Sequence, residues 1–472
     1  MRSFVFNEVM KIRRETLIEL AKSFMKGSLS EDLPKIPKKI ISEENDNVYQ
    51  EREVLKQKIK IYLGLDYEKT KDIELYEIAN DIEKYISKGS EYLSGEKHIQ
   101  IIKEACDKCP SGRYYVTDLC RNCLAHSCYN SCPKKAISID GNKSVIDPEK
   151  CIGCGLCAKA CEYYAIVKLQ RPCENSCAVN AIGKDENFAA DLDYEKCVTC
   201  GACFTACPFG AIESSSDFFK VLKSLSRGEE ITAMIAPSIV SQFGPKASVG
   251  QIKNAVEKIG FSKCVEVAIA ADEVAEEEAK IAKNLEVDET LLTSCCPAFV
   301  SYVKKYQKDF SDKISHIPSP MIVMANNIKK ENPKTKALFI GPCLAKKREA
   351  VEKVDFVLTY EELGALFIAN KIEPTKYEEV EIDGSQYGWN FAFSGGVTQA
   401  LDNITSCESC MKMNGLKEGK EIFDRARKEH PKILEGMACE GGCIAGPGIT
   451  VNPRIALNNV KRVIKKKKVK SL

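Results

Sequence analysis

Two stretches of the chain place cysteines at the same spacing, and this repeat constrains the fold more than any other feature of the sequence. One runs CYNSCPKKAI from Cys128 and CIGCGLCAKAC from Cys151, and the other runs CENSCAVNAI from Cys173 and CVTCGACFTAC from Cys197. The offset is 45 residues at the first pair of motifs and 46 at the second. Of the 24 cysteines in 472 residues, 16 lie within residues 106–207. So many thiols in a chain of this length favour metal ligands over disulfides.

The overall charge and the distribution of apolar residues exclude two classes of partner. The 69 Lys and Arg residues nearly balance the 67 Asp and Glu residues, giving a net charge of +2, so no strong net attraction to nucleic acid is expected. No run of 18 apolar residues occurs, which removes any candidate membrane-spanning helix. The N-terminus MRSFVFNEVMKIRRETL lacks the apolar core of a secretory signal. The sequence therefore predicts a cytoplasmic protein without a membrane span.

The pattern of residue types divides the chain into four parts. Residues 1–100 show helical spacing at 7–24 and 72–86 and predict a helical N-terminal segment. Residues 101–215 hold the cysteine repeat, and residues 461–472 form a basic tail. In residues 216–460, apolar runs typical of strands alternate with helical patterns, which predicts an α/β domain with an at least partly parallel sheet. The predicted strands are 231–240, 263–270, 336–341 and 354–359, and the predicted helices are 249–259, 272–284 and 361–369.

Each repeat contains the spacing C-x2-C-x2-C-x3-C, which resembles the signature of the bacterial ferredoxins. In such a run, three closely spaced thiolates hold one [4Fe–4S] cluster, and the fourth cysteine serves the other cluster of the pair. Zinc is the alternative, but zinc sites usually use two separated C-x2-C pairs. The repeat therefore predicts an α+β ferredoxin-like iron–sulfur module that moves single electrons.

The exchange of the fourth cysteine between clusters groups the ligands into sets. Three sets follow directly: Cys120, Cys123, Cys128 and Cys161; Cys132, Cys151, Cys154 and Cys157; and Cys177, Cys197, Cys200 and Cys203. Cys173 and Cys207 remain, because the second repeat lacks a C-x2-C pair just ahead of Cys173. The separate pair of Cys106 and Cys109 could replace it, and this fourth set is a hypothesis. Three to four accessory clusters are therefore expected, with four favoured.

Three further motifs, in residues 216–460, carry a resemblance to a known family. They are TSCCPAF from Thr293, GPCLAKKRE from Gly341 and EGMACEGGCIAGPG from Glu435. Together and in this order they resemble the signature of the [FeFe]-hydrogenases, over roughly residues 101–455. The resemblance implies an α/β catalytic domain that holds the H-cluster. In that cofactor a [4Fe–4S] cubane is joined through a cysteine sulfur to a two-iron subcluster carrying CO, cyanide and azadithiolate.

The resemblance also implies roles for residues around the cofactor. The implied cubane ligands are Cys296, Cys343, Cys439 and Cys443. Cys443 corresponds to the ligand that bridges to the two irons. Lys346 corresponds to the lysine that hydrogen-bonds a cyanide, and an ammonium group suits an anionic ligand. The segment with Pro237 and Ser238 resembles the one that lines the opposite cyanide, and Met437 the methionine that packs beside the two irons.

The resemblance implies that Cys295 is the last proton donor to the two-iron site. Neighbours in an extended stretch point to opposite sides, so Cys295 is not expected to share the cubane with Cys296. An unperturbed thiol has a pKa of about 8.5, which suits proton transfer near neutral pH. Glu278 and Ser315 correspond to the first relay glutamate and the relay serine, but the second relay glutamate falls at Ile281. The alternatives for that position are Glu276, Glu277, a chain of waters or a different route.

Three pocket positions depart from the residues usual in the family. Gly341 stands where many members have methionine, Met321 where many have glutamine, and Phe299 where tryptophan is usual. These changes are expected to alter the polarity around the two irons. Three cysteines in the α/β domain have no assigned role: Cys264 and the loop-like pair Cys407 and Cys410, which could be a redox dithiol or part of another metal site.

The sequence thus predicts a ferredoxin-dependent hydrogenase that reversibly reduces protons to H2 with electrons relayed through [4Fe–4S] clusters. A soluble ferredoxin or similar carrier is the expected electron partner, and the family implies maturation proteins for the two-iron unit. One alternative is a hydrogen or redox sensor that uses the same site. The other is an iron–sulfur scaffold protein without hydrogenase activity.

Overall fold

The N-terminal part of the chain is helical, as the sequence predicts. The computed structural model describes residues 6–43, 47–87, 97–106, 109, 114–286, 288–405 and 409–466. The first helices are Glu8–Met25, Leu29–Asp32, Ile36–Ile40, Val48–Tyr62, Tyr67–Thr70, Leu75–Asn80 and Ile82–Ser87. Asn7 caps the first of them by accepting from the Met10 N–H at 3.0 Å. Leu20 and Ile59 are fully buried and belong to the same apolar core as the α/β domain.

The cysteine-rich part contains two nested copies of one arrangement. Its strands are β1 (Ile99–Ile101), β2 (Tyr114–Val116), β3 (Ile137–Asp140), β4 (Lys143–Ile146), β5 (Ile166–Lys168), β6 (Ile182–Lys184), β7 (Ala190–Leu192) and β8 (Ile212–Ser214). In the inner copy β2 pairs with β5 around the hairpin β3–β4, and in the outer copy β1 pairs with β8 around the hairpin β6–β7, all antiparallel. The short helices are Ser127–Asn130, Leu156–Lys159, Pro172–Ser176 and Ala202–Ala206. Since β1 pairs with β8, the segment after β1 lies beside the segment before β8.

The α/β domain contains two parallel sheets. Its strands are β9 (Ile231–Ile235), β10 (Lys263–Glu266), β11 (Leu291–Leu292), β12 (Lys336–Ile340), β13 (Phe356–Leu358), β14 (Cys410–Asn414) and β15 (Ile433–Met437). One sheet has the order β10-β9-β12-β13 and the other β11-β15-β14, and every pairing is parallel. The helices are Phe218–Ser226, Val249–Ile259, Val267–Lys283, Pro297–Tyr306, Pro320–Glu331, Ala345–Glu349, Tyr360–Ala369, Gln386–Asn390, Gly396–Thr405, Gly419–Glu429 and Pro453–Lys466. The predicted α/β class with a parallel sheet is confirmed.

Three local predictions are wrong. The strand expected over 231–240 ends at Ile235, and Pro237–Ile239 form a 3-10 turn. The strand expected over 263–270 ends at Glu266, and its second half is the first turn of the helix Val267–Lys283. A short apolar run does not distinguish a strand from a buried helix by periodicity. The segment expected to be a loop around Cys410 contains β14, which pairs with β15, whereas Cys407 lies outside the described residues. No helix in the described ranges combines the length and apolarity needed to cross a bilayer.

Candidate active site

A cavity of about 70 Å³ lies where the two parallel sheets end. β9 and β12 are paired up to Ile235 and Ile340, so the segments that follow them leave the sheet side by side. Ligands bind at the carboxyl ends of strands in open α/β sheets, and this volume is several times the roughly 10–15 Å³ that one water needs. Nine of the residues singled out in the sequence line the cavity: Pro237, Ser238, Cys295, Cys296, Met321, Cys343, Lys346, Met437 and Cys443. The three separate motifs therefore meet at one place.

The fourth cysteine expected in the cubane, Cys439, lies close to the other three. Burial raises the pKa of its thiol, and the neighbouring thiols of Cys343, Cys296 and Cys443 raise it further. No three His, Cys, Asp or Glu side chains of the described residues converge as a single ion would require. A zinc ion would draw all its thiolates to one point, whereas the four thiolates of a cubane bind four different irons. A donor set of four thiolates fits a cubane.

The backbone around two of these cysteines is fixed by residue types that tolerate few replacements. Gly442 has a φ of +84°, and a Cβ at this position would lie 2.4 Å from the Ser394 nitrogen. Only glycine lets the chain pass this closely before it turns into Cys443. Cys296 begins the helix Pro297–Tyr306, whose first residue is proline, as is common at that position.

Lys346 reaches the cavity from the short helix Ala345–Glu349 and is almost fully buried. Its Nζ donates to Ser319 Oγ at 2.8 Å and to Glu349 Oε2 at 2.6 Å. Burial lowers the pKa of this ammonium, but Glu349, with the thiols of Cys343 and Cys295, outweighs that effect, and the pKa is raised. Lys346 is therefore a buried cation at the cavity wall with a third donor position left for an anionic ligand.

The Ser238 hydroxyl is fully buried and lies 2.7 Å from the Tyr360 hydroxyl. Pro237 precedes it in the 3-10 turn Pro237–Ile239, directly after β9. The hydrogen bond to Tyr360 fixes the serine rotamer at the cavity edge. Sequence reasoning identified the segment but not its tyrosine partner, which lies more than a hundred residues further along the chain.

Gly341 has no side chain where many members of the family have methionine. The aromatic ring of Phe339, two positions earlier, occupies that space. A Cβ on Gly341 would lie 2.6 Å from the Phe339 ring, and Phe339 lines the cavity. Residues two apart on a strand face the same side, so the missing side chain and the ring compete for one space. Met321 also lines the cavity, whereas Phe299 is fully buried against Gly436. These departures give the cavity an apolar wall.

The predicted relay residues lie together behind Cys295. Glu278 is fully buried, and its Oε1 accepts from the Ser294 N–H at 3.2 Å. Burial raises the pKa of Glu278 to about 7, and the nearby Ser315 hydroxyl and Ser294 N–H oppose the rise. Burial also raises the pKa of the Cys295 thiol, with further contributions from Cys296 and Glu278. A carboxyl group that titrates near neutral pH suits a proton relay.

The continuation expected from the family is missing beyond Glu278. Ile281 is partly buried and packs against an apolar cluster of the same helix and its neighbours. Glu277 is exposed and pairs with Lys280 at 2.5 Å, on the solvent side of the helix. Of the alternatives at this position, Glu277 therefore does not extend a route from Glu278.

Sequence reasoning missed a second buried carboxylate at this site, Glu435 in β15. Its Oε1 accepts from the Gly395 N–H at 2.7 Å, and its Oε2 accepts from the N–H and hydroxyl of Thr398 at 2.7 and 2.8 Å. Burial raises the pKa of Glu435, and the hydrogen bonds from Thr398 and Gly395 oppose the rise. The signal in the sequence was an acidic residue inside the apolar run ILEGM, which forms a strand buried throughout.

The inner copy of the cysteine-rich part brings together one of the expected ligand sets and three cysteines of another. One small cavity is lined by Cys132, Cys151, Cys154 and Cys157. In the other set, the Ser144 N–H donates to Cys120 Sγ at 3.5 Å, and the Ser144 hydroxyl lies 3.5 Å from Cys128 Sγ. Cys161 packs against the same apolar cluster as Cys128. Hydrogen bonds to sulfur are one of the ways in which a protein sets the potential of a cluster.

The outer copy brings together the set that the sequence left as a hypothesis. Cys106, Cys109, Cys173 and Cys207 line one cavity. The nesting explains this, because Cys106 follows β1 and Cys207 precedes β8, and the two strands are paired. Burial raises the pKa of Cys109, and the neighbouring guanidinium of Arg171 opposes that rise. Arg171 is itself almost fully buried and supplies positive charge beside four thiols.

The remaining set lies between this cavity and the active site. Burial raises the pKa of Cys203 most. The neighbouring thiols of Cys200, Cys197 and Cys177 raise it further, and so does Cys173 of the fourth set. Burial raises the pKa of Cys200 to about 12, with contributions from Cys197, Cys177 and Cys296. Cys200 and Cys296 pack against the same apolar cluster. The cysteines thus form a continuous series from the outer copy to the cavity.

Comparison with known proteins finds matches in both halves of the chain. Residues 229–447 match the family model of the iron only hydrogenase large subunit, C-terminal domain. Residues 144–167 match a 4Fe-4S binding domain, and residues 167–218 match the LdpA Fe-S cluster-binding domain.

Individual relatives match more or less of the chain. Iron hydrogenase 1 of Clostridium pasteurianum is 28% identical over 383 residues, which cover 66% of this chain and 65% of that protein. The chain thus spans just under two thirds of that relative's length. The cytosolic Fe-S cluster assembly factor NAR1 of Kluyveromyces lactis is 34% identical over 110 residues, 21% of this chain and 23% of that protein. The solved [FeFe]-hydrogenase HydA1 of Chlamydomonas reinhardtii gives a TM-score of 0.45 at 17% identity, covering 52% of this chain and 88% of that one.

Proposed function

Because this chain is an [FeFe]-hydrogenase-like iron–sulfur protein, we propose that it is a hydrogenase that reversibly reduces protons to H2. The observation that carries the proposal is the cavity where Cys295, Lys346 and three of the four expected cubane cysteines meet. A scaffold needs the cysteines alone. The buried ammonium and the thiol beside them are useful only to a reaction that moves charge and protons inside the cavity.

The four cysteines Cys296, Cys343, Cys439 and Cys443 would hold the H-cluster, which supplies the redox chemistry of H2 when bound. Lys346 offers its third N–H to an anionic ligand while Ser319 and Glu349 fix its direction. The apolar wall made by Met321, Phe339 and Phe391 keeps bulk water out and strengthens this interaction. The residue at the bridge position, Cys443, lines the same cavity as Lys346.

Proton transfer is assigned to Cys295, Glu278 and Ser315. Cys295 lines the cavity, and the next residue back, Ser294, donates to Glu278. Cys295 delivers its proton into the cavity and recovers one from the direction of Glu278. Because the carboxyl group of Glu278 has a pKa of about 7, it both releases and accepts a proton near neutral pH.

Electron supply is assigned to four accessory [4Fe–4S] clusters, one in each set of cysteines. The two sets of the outer copy lie nearest the active site, since Cys173 neighbours Cys203 and Cys200 neighbours Cys296. The inner copy carries exposed apolar side chains, Leu124 and Tyr164 among them, and an exposed Cys154. We assign this copy as the entry point for a ferredoxin-type carrier. Maturation proteins and a reducing, cytoplasmic location complete the proposal, because thiolates must stay reduced until clusters are inserted.

Iron–sulfur scaffolding is the second candidate, because the chain is also 34% identical to the NAR1 assembly factor over 110 residues. A hydrogen or redox sensor built on the same cavity is the third. The chain matured with its cofactor separates them by infrared spectroscopy and by H2 turnover with a reduced dye. Bands of CO and cyanide with high turnover support the hydrogenase, bands with weak turnover favour the sensor, and no bands favour the scaffold.

A further inference from the structure

Three buried oxygen atoms near the active site have no hydrogen-bond partner within the described part of the chain. They are Glu278 Oε2, Thr293 Oγ1 and Ser394 Oγ. Buried polar atoms rarely lack partners, and such atoms are usually satisfied by ordered water. Three of them in one region therefore point to a hydrated path through the interior.

Two of these atoms belong to residues that flank Glu435. The Thr293 N–H donates to the Leu434 carbonyl at 3.2 Å, which extends the β11–β15 register and places Thr293 opposite Glu435. Neighbours in register on parallel strands share a face of the sheet. Ser394 immediately precedes Gly395, whose N–H donates to Glu435 Oε1 at 2.7 Å. Glu278 accepts from the N–H of Ser294, the residue after Thr293, and Glu435 contributes to raising the pKa of Glu278, after burial.

Glu435 also connects outward to solvent. Its Oε2 accepts from the Thr398 hydroxyl at 2.8 Å, and Thr398 is partly exposed. Lys412, which is exposed, lies opposite Glu435 in the register of β14 and β15. A hydroxyl that donates to a carboxylate and also faces water hands on a proton in either direction. Glu435 therefore has one side toward the active site and one side toward the surface.

We propose that Thr398, Glu435 and the water beside Thr293 form the outer half of the proton route to Glu278 and Cys295, in place of the relay interrupted at Ile281. The inference rests on the proposed hydrogenase function. A proton from solvent enters through the Thr398 hydroxyl, binds the Glu435 carboxylate, and passes by water and Thr293 to Glu278. Each step moves one proton between oxygen atoms, and no electrons are exchanged.

The simpler role for Glu435 is structural, because it accepts from N–H groups at the start of the helix Gly396–Thr405. A carboxylate there stabilises the helix end. Glu435→Gln keeps an oxygen acceptor of the same size but cannot carry a proton. Thr398→Val removes only the hydroxyl and leaves the Thr398 N–H bond to Glu435 in place. The two variants therefore separate proton transfer from helix capping.

The test uses the full chain with its clusters and compares both variants with Glu421→Gln, the same change at an exposed glutamate of the helix Gly419–Glu429. Glu435→Gln is expected to keep the CO and cyanide bands and to lower H2 turnover about 100-fold, the lower end of what a positioned proton donor contributes. Thr398→Val is expected to lower it about tenfold. In both, the solvent isotope effect on turnover rises, which a loss of capping does not cause.

A second readout does not depend on turnover. In wild type, infrared titration is expected to show a protonated carboxyl band that is missing in Glu435→Gln, with or without the two-iron unit. Absence of that band, or turnover of Glu435→Gln within twofold of wild type, overturns the route. If wild type itself shows no CO and cyanide bands, the proposed hydrogenase function fails, while the carboxyl band still decides whether Glu435 takes up a proton.

Discussion

Removing the charge of Arg13 should destabilise the whole chain, because this residue joins its three parts. Arg13 lies on the helix Glu8–Met25 and is 5% exposed. Its Nη1 donates to Glu361 Oε2 at 3.0 Å, in the α/β domain, and its Nε lies 3.3 Å from Glu213 Oε2, in β8. The guanidinium also lies 4.0 Å from the centroid of the Phe204 ring. One side chain thus contacts the cysteine-rich part and the α/β domain at once.

The expected loss of stability follows from the ion pairs that each carboxylate retains in the variant. In Arg13→Met, Glu213 still has Lys58 at 2.8 Å, but Glu361 loses its buried ion pair. Glu361 Oε1 already lacks a partner among the described residues. Breaking a buried pair from one side costs about 3–5 kcal/mol. Burial raises the pKa of Glu361, and Arg13 opposes that rise, so the variant protonates this carboxyl more readily. A carboxyl group whose pKa is raised in the folded state destabilises that state at pH values above its ordinary pKa. The loss of stability in Arg13→Met should therefore increase from pH 5 to pH 8.

Denaturant unfolding of the metal-free and the cluster-loaded chain measures the effect. Lys11→Met on the same helix is the control, because its exposed pair with Glu8 is worth no more than about 1 kcal/mol. Adding Glu361→Gln to Arg13→Met should recover part of the loss, since the uncompensated charge is then removed. A free energy of unfolding within about 1 kcal/mol of wild type for Arg13→Met, at both pH values, would refute the reasoning.

Three further predictions concern the site itself. Cys295→Ala should keep the CO and cyanide bands but lower H2 turnover by about 10²–10⁴-fold, measured with a reduced dye; near-normal turnover removes its relay role. Glu278→Gln should be more stable than wild type by roughly 3 kcal/mol at pH 8, but not at pH 4. The reason is that the ionised form of a buried carboxyl group with a pKa of about 7 destabilises the fold increasingly as the pH rises from 4.5 to 7. Equal pH profiles of the two proteins in denaturant unfolding contradict this. Cys109→Ser should lose about four irons per chain, whereas Cys264→Ala, which changes a buried cysteine outside every set, should lose none.

Much of the active site could be predicted because most of its residues lie in short sequence motifs. The residues TSCCPAF, GPCLAKKRE and EGMACEGGC carry cysteines and a lysine whose spacing along the chain is informative. The parallel sheet then places the motifs together, since the carboxyl ends of its strands meet at one edge. Glu435 was not predicted, because the motifs are recognised by their cysteines, and a single acidic residue in an apolar strand is not part of that pattern.

Other features depend on contacts between distant segments and could not be read from spacing. The Ser238–Tyr360 hydrogen bond and the Phe339 ring beside Gly341 are set by how neighbouring strands and helices pack. The second sheet was missed because β14 is short and polar, with Cys410 and Lys412 among its residues, and gains its strand character from pairing with β15.

The nesting of the two copies gives the N-terminal helices a part in the proposed electron path. The fourth set of cysteines closes only when β1 and β8 pair, because Cys106 and Cys207 come from opposite ends of the outer copy. Glu213 lies in β8, opposite Gln100 of β1, and is held by Lys58 and Arg13 from two N-terminal helices. A change that frees β8 from these helices therefore loosens the very strand pair that brings the four thiols together. It follows that the helical segment does more than cover the core, since it stabilises the strand pairing on which the proposed fourth cluster depends.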